Sequence, residues 1–214
     1  MAENLAITIG RQFGSGGKEI GHRLGELLGI KVYDKELLTL AAEKKGFHVD
    51  YLRRVDEKAT SSLLYTLVMD ASAHGARHFG VDMSINDQLF IAQTEIIKEI
   101  VQAEPAIFVG RCADYVLRKY PNRISFFIYS DFEARVKRVM HRHEMTSAKA
   151  EALINKTDKR RINYYNFYTG NKWGKFENYH MSIDSSLLGV EGTAQMMKRL
   201  IEIYSLETED ERII

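Results

Sequence analysis

Short apolar runs alternate with longer stretches of helical period along this chain. Leu5-Ala-Ile-Thr-Ile9 has the pattern of a buried strand and ends in a glycine-rich turn. From Lys18 to Leu28 the apolar residues Ile20, Leu24, Leu27 and Leu28 recur at helical spacing, and Gly29 suits a C-terminal cap. Ile30–Tyr33 predicts a second strand. Leu89, Ile96, Ile97, Ile100 and Val101 predict a helix that stops before Pro105, and Ala106–Val109 a third strand leading through Gly110-Arg111 into another helix. Ile124–Tyr129 reads as a strand followed by a helix over Glu133–His143. His180–Ile183 reads as a last strand, and Val190–Ile203 as a closing helix.

Five strands alternating with helices predict an α/β fold with a parallel sheet covered on both faces. Ligands of such sheets collect at the carboxyl ends of the strands, which directs attention to the turns after Ile9, Tyr33, Val109 and Tyr129. There is no internal repeat or low-complexity segment, and neither proline, Pro105 or Pro121, marks a linker, so residues 1–214 read as one domain.

Composition narrows the partners. The formal net charge of +1 gives no bulk electrostatic case for nucleic acid or an anionic membrane. No apolar run approaches the roughly 20 residues that span a bilayer. A single cysteine, Cys112, excludes an intrachain disulfide and a thiolate metal cluster. With no signal-peptide pattern at Met1-Ala-Glu-Asn4, a reducing, cytoplasmic location is the expectation. His141 and His143 lie two apart on a helix and share no face, so no metal site is indicated. Glu207–Arg212 reads as a frayed acidic tail.

The first turn, Gly10-Arg-Gln-Phe-Gly-Ser-Gly-Gly-Lys18, carries the clearest chemistry. Gly14, Gly16 and Gly17 let backbone amides converge at a helix N-terminus, where orphan N–H groups and the helix dipole attract phosphate. A plain strand-to-helix turn would use the same glycines for positive dihedrals. Two registers against the P-loop pattern are open. Pairing Gly17-Lys18 as the Gly-Lys dipeptide puts Gln12 on the first glycine and Glu19 on the metal-binding Ser/Thr. Aligning Gly14-Ser15-Gly16 without a gap puts Gly17 on the lysine.

The motifs Ile7–Gly17, Tyr33-Asp-Lys-Glu-Leu37, Phe108-Val-Gly-Arg-Cys-Ala-Asp114, Tyr164–Gly174 and Asn178–Ser186 stand in an order that resembles the cytidylate kinase-like family over nearly the full length. The resemblance implies a P-loop NTPase three-layer sandwich, a five-stranded parallel sheet flanked by helices. It also implies a helical acceptor-binding segment over 34–103 and a lid over 135–161. The activity implied is phosphoryl transfer from ATP, with Mg²⁺, to a small-molecule acceptor that is a nucleoside monophosphate of CMP or dCMP type or a related compound. A nucleotide-sensing module without turnover is the alternative, because either register lacks a hydroxyl after the lysine.

By the same resemblance, Gly14, Ser15, Gly16, Gly17, Lys18 and Glu19 form the donor loop, with Lys18 its cation. Asp34 opens the acceptor segment. Arg111 grips the acceptor phosphate, as a guanidinium fork suits, and Asp114 stands near a family aspartate whose own place is taken by Cys112. Arg161, in Asp158-Lys-Arg-Arg161, and then Arg138 are the lid arginines expected on the transferring group. Cys112 reads as a small buried residue. Tyr164, Tyr165, Tyr168 and Trp173 either stack on a base or pack the lid hinge. Asp184 and Ser185 resemble the segment near the adenine end, or form a helix-entry turn. In the acceptor segment the polar candidates are Tyr51, Arg53, Arg54, Tyr65, His74, Arg77, His78 and Asp82, and nothing among them spells one base. The oligomeric state stays open.

Overall fold

The β-branched and aliphatic residues of Leu5–Ile9 place their strand at the centre of a sheet. In the computed structural model, which describes residues 4–34, 36–44 and 85–210, that strand is β1 (Ala6–Arg11). It pairs in parallel with β3 (Ala106–Val109) on one side and β4 (Arg123–Tyr129) on the other. β2 (Lys31–Tyr33) adds beyond β3 and β5 (Met181–Asp184) beyond β4, giving the order β2-β3-β1-β4-β5. This is the predicted five-stranded parallel α/β sheet. The chain leaves β1 towards one edge and β4 towards the other, so the crevice at their carboxyl ends is where such a fold offers a site.

The end of β1 and the start of α1 differ from the sequence reading. β1 continues through Gly10 to Arg11, because Arg11 still pairs with Ile128 of β4. Helix α1 (Gly17–Leu28) starts one residue earlier than its apolar pattern, with Gly16 as N-cap and Gly29 as a left-handed C-cap. Its buried face, Ile20 and Leu24, joins Ile7, Ile9, Ile107, Phe126 and Ile128 in the main core. Ala194, Met197 and Ile201 of α7 (Ser185–Asp210) complete that layer. Gly189 (φ 65°, ψ −168°) breaks α7, so the regular helix begins at Val190 as the sequence pattern has it. At its far end the helix runs on through Asp210, into the stretch expected as an acidic tail. Residues 211–214 lie outside the described residues.

The helix expected after Gly110-Arg111 is a single turn, α4 (Ala113–Val116). After β4, Asp131 caps α5 (Phe132–His143) by accepting the N–H groups of Glu133 (2.9 Å) and Ala134 (3.1 Å). α6 (Ser147–Thr169) follows as one continuous helix. Val136 and Val139 of α5 meet Ala150 and Ile154 of α6 in a small second core, against which Phe13 of the glycine loop also packs.

The chain divides into two compact units, Met1–Asp34 with Lys98–Ile214, and Lys35–Ile97. The first holds the sheet and the helices just described. In the second, helix α2 (Glu36–Lys44) buries Leu37 and Ala41, and the portion of α3 (Ile85–Ala103) up to Ile97 buries Leu89, Ala92, Ile96 and Ile97. The acceptor-segment candidates Tyr51, Arg53, Arg54, Tyr65, His74, Arg77, His78 and Asp82 lie outside the described residues.

Candidate active site

The turn from β1 to α1 is held on several sides by side chains. Gly14 and Gly16 both take φ +79°, a conformation open to glycine at no steric cost. A Cβ on Gly14 would also lie 2.9 Å from Val139 of α5. Ser15 is fully buried; its hydroxyl donates to the Gln12 carbonyl (2.9 Å) and accepts the Gly17 N–H (3.3 Å). The Gln12 side-chain oxygen accepts the Ser130 N–H (3.2 Å), and the Phe13 N–H donates to Asp158 (2.8 Å). Ser185, after β5, donates its hydroxyl to the Ser15 carbonyl, and Arg138 donates to the carbonyl of Gly14. Because the N-cap is a glycine with no side chain to bond, the first turn of α1 keeps the amides after Gly17 available to a ligand.

Cations surround this loop. Asp158 sits on α6 between Arg135 (2.6 Å) and Arg161 (3.9 Å) while holding the Phe13 amide, so it ties the α5–α6 pair to the loop. Arg161 donates to the Arg11 carbonyl (2.8 Å). Its acidity is pushed to about 9, first by burial and next by the charge of Arg11, with Arg111 adding to the effect. Arg11 is likewise lowered, by burial first, with Asp34 opposing and Arg111 adding to the shift. A cluster of arginines that depress one another is a place where a bound anion relieves repulsion.

Arg111 is carried by a strained turn. Gly110, Arg111 and Cys112 have φ of 79°, 58° and 54° in succession, although only the first is a glycine. Left-handed backbone costs an L-residue about 1–2 kcal/mol, and such strain clusters at functional positions. Asp34 follows β2 and is 5% exposed. Its carboxylate lies 2.9 Å from Lys18 Nζ and 3.5 Å from Arg11 Nη2. Burial raises its pKa, but Arg11, Lys18 and Arg111 together outweigh that and hold it below the usual carboxylate value.

The other expected site residues sit at varying distance from this cluster. Glu19 turns to Arg142 (2.6 Å). The Asp114 carboxylate is buried and accepts the Tyr165 hydroxyl (2.6 Å), so it serves an internal network; burial raises its pKa despite that bond. Cys112 is buried, and burial with the nearby Asp114 charge pushes its thiol far up, which suits a packing residue. Tyr165 is buried on Asp114, and Trp173 meets Phe127 edge-on at 5.3 Å. Asp184 acts as a helix-entry cap, accepting the Ser186 N–H at 2.9 Å. Among the described residues no three His, Cys, Asp or Glu side chains gather as a metal site.

The model of the cytidylate kinase-like family matches residues 6–187. The chain belongs to the cytidylate kinase-like family. It is similar to an uncharacterized protein from Eubacterium ventriosum ATCC 27560, with 29% identity over 93% of this chain and 99% of that one and a TM-score of 0.68. A shikimate kinase from Acinetobacter baumannii, solved with shikimate, shares the fold at 16% identity (TM-score 0.51; 95% and 96% covered). So does a gluconokinase from Sinorhizobium meliloti 1021 at 14% identity (TM-score 0.52; 97% and 99% covered). No curated protein matches the chain. Family and fold together indicate a nucleotide-dependent kinase in general.

Gly17 begins α1 and cannot be replaced by a side chain without a shift: a Cβ there would be 2.5 Å from Arg11 Cβ. The sequence alone assigns no role to Arg11, and places Gln12 only within one loop register and Asp158 only within the lid motif of Arg161. The usable signal was the gap-free register, which leaves the lysine position to glycine and so requires a cation from elsewhere.

Proposed function

We propose that this chain is an ATP-dependent phosphotransferase acting on a nucleoside monophosphate of CMP or dCMP type, or on a related small molecule. The observation that carries the reading is the uncapped N-terminus of α1, reached through Gly14 and Gly16, with Arg11 and Arg161 held beside it and Asp34 among them. In the proposed step, an acceptor oxygen forms a bond to the γ-phosphorus as the bond from that phosphorus to the β,γ-bridging oxygen breaks. The electron pair leaves with ADP. An ionised phosphate acceptor needs no proton removed; a hydroxyl acceptor would have to release one. Catalysis of such a transfer is mostly positioning and charge neutralisation.

In this reading the amides from Gly14 to Glu19 cradle the donor phosphates and Lys18 stands by as a cation. Arg111 holds the acceptor phosphate, Asp34 and Asp114 belong to the acceptor side, and Arg138 and Arg161 face the transferring group. The chain is then one kinase-like domain, with 34–103 binding the acceptor and 135–161 serving as lid, working in the cytoplasm. No carboxylate cluster among the described residues fits a Mg²⁺ ion on its own. The ion is therefore proposed as a counter-ion carried by ATP, as Mg²⁺ commonly is, and no step is derived through it.

The test is ADP formation from ATP and Mg²⁺ against a panel headed by CMP and dCMP, with shikimate and gluconate added because the two fold relatives are named for them. Acceptor-dependent ADP formation supports the kinase reading and names the acceptor class. Silence with intact ATP binding by calorimetry supports the second reading, a nucleotide sensor. That reading is favoured by Gly17 at the loop's lysine position and by the Lys18–Asp34 pair at 2.9 Å.

A further inference from the structure

In the gap-free register, a glycine at the start of α1 and a lysine paired to Asp34 leave the loop's central cation to be supplied by another residue. Arg11 is the last residue of β1, and its side chain crosses two positions that only glycine leaves open. A Cβ on Gly17 would stand 2.5 Å from Arg11 Cβ and 3.1 Å from its Cγ. A Cβ on Gly110 would stand 1.9 Å from Arg11 Nη1 and 2.9 Å from its Cζ. The side chain therefore runs past the N-terminus of α1 and ends over the carboxyl end of β3, at the turn that carries Arg111.

The Asp34 contact, at 3.5 Å, is longer than the 2.9 Å from the same carboxylate to Lys18. Arg11 Nε is buried and without a hydrogen-bond partner among the described residues. Arg161 binds the Arg11 carbonyl, bringing a second guanidinium to the same residue. A buried donor with no acceptor costs stability unless a ligand supplies the acceptor. The planar fork of an arginine matches phosphate oxygens.

We propose that Arg11 supplies the cation on the terminal phosphate of the bound nucleotide, in place of a lysine at position 17, and that Gly17 and Gly110 are bare to admit its side chain. This inference rests on the kinase reading of the same site. As the γ-phosphorus leaves the bridging oxygen for the acceptor oxygen, the guanidinium would neutralise charge on the peripheral oxygens, with no bond made or broken at Arg11.

The test compares ATP and ADP, each with Mg²⁺, on wild type and R11M by calorimetry, alongside turnover with whichever acceptor is active. Loss of about tenfold or more in the preference for ATP over ADP, as a charged hydrogen bond predicts, supports the proposal. R11K is expected to keep part of that preference. R11M with wild-type ATP preference and turnover overturns the proposal while leaving the kinase reading intact. Wild type that binds ATP but transfers to no acceptor fails the kinase reading, and the ATP-to-ADP ratio in R11M still decides the role of Arg11. Wild type that binds neither nucleotide overturns both. Should R11M not fold, R11K and R11Q are compared instead, and an unchanged ratio in R11Q overturns the proposal.

Discussion

Nη1 of Arg11 lies 1.9 Å from the point where a Cβ on Gly110 would stand. Gly110→Ala therefore must displace the guanidinium, and it also places alanine at φ +79°. Turnover of G110A is expected to fall by about 100-fold or more, the scale of removing one preorganised donor from a transition state. Its stability loss should stay near 1–2 kcal/mol, the cost of the backbone conformation. Paired kinetics and urea unfolding check this; unchanged turnover would show that the guanidinium can move without consequence.

Arg111 invites the opposite comparison. Because it holds φ +58°, Arg111→Gly removes strain while deleting the guanidinium. R111G is expected to be as stable as wild type or up to about 1 kcal/mol more stable, with turnover lowered about 100-fold. A thermal melt and an acceptor titration measured together separate the two effects. A stable variant with full activity would remove Arg111 from the site.

Asp34 links Lys18 to Arg11, and its folded pKa lies below the ordinary 3.8. A carboxyl depressed in the folded state contributes stability above its unfolded pKa and loses it as pH falls through the folded value. The stability gap between wild type and Asp34→Asn should therefore be constant near neutrality and close once pH falls below 3.8. Urea titrations at several pH values supply the curve, and a gap that widens with acid would contradict the pairing.

Asp158 joins the α5–α6 pair to the loop through Arg135 at 2.6 Å and the Phe13 amide at 2.8 Å. Removing one partner from a buried pair leaves a charge without compensation, at about 3–5 kcal/mol. Asp158→Ala is expected to unfold at correspondingly lower urea, with Arg135→Met less harmful in the D158A background than alone. Additive losses in that double-mutant cycle would mean the two residues act independently.

Much of the architecture was legible in the chain because burial has a period. Ile7 and Ile9 face one core, Ile20 and Leu24 recur on one side of α1, and each predicted strand formed within two residues of its expected ends. The glycine turn was equally readable, since Gly14 and Gly16 adopt the positive dihedrals their lack of a Cβ permits. What periodicity does not carry is which distant residues meet. Lys18 is expected as the loop's cation, but its pairing with Asp34, brought alongside by the β2-β3-β1 order, is not written in its neighbours along the chain. Asp114, expected on the acceptor side, also accepts the hydroxyl of Tyr165, a partner 51 positions further along the chain that periodicity does not name. Arg11 was one residue in a motif until folding set Gly17 and Gly110 on its two sides. The sequence by itself determined the five strands, helices α1, α3, α5 and α7 and the glycine-rich turn, because those depend on neighbours along the chain. Only the tertiary structure decided that the Arg11 side chain passes Gly17 and ends against Gly110, because close approach between positions as far apart as 11 and 110 depends on strand order and on the volume that two missing Cβ atoms leave free.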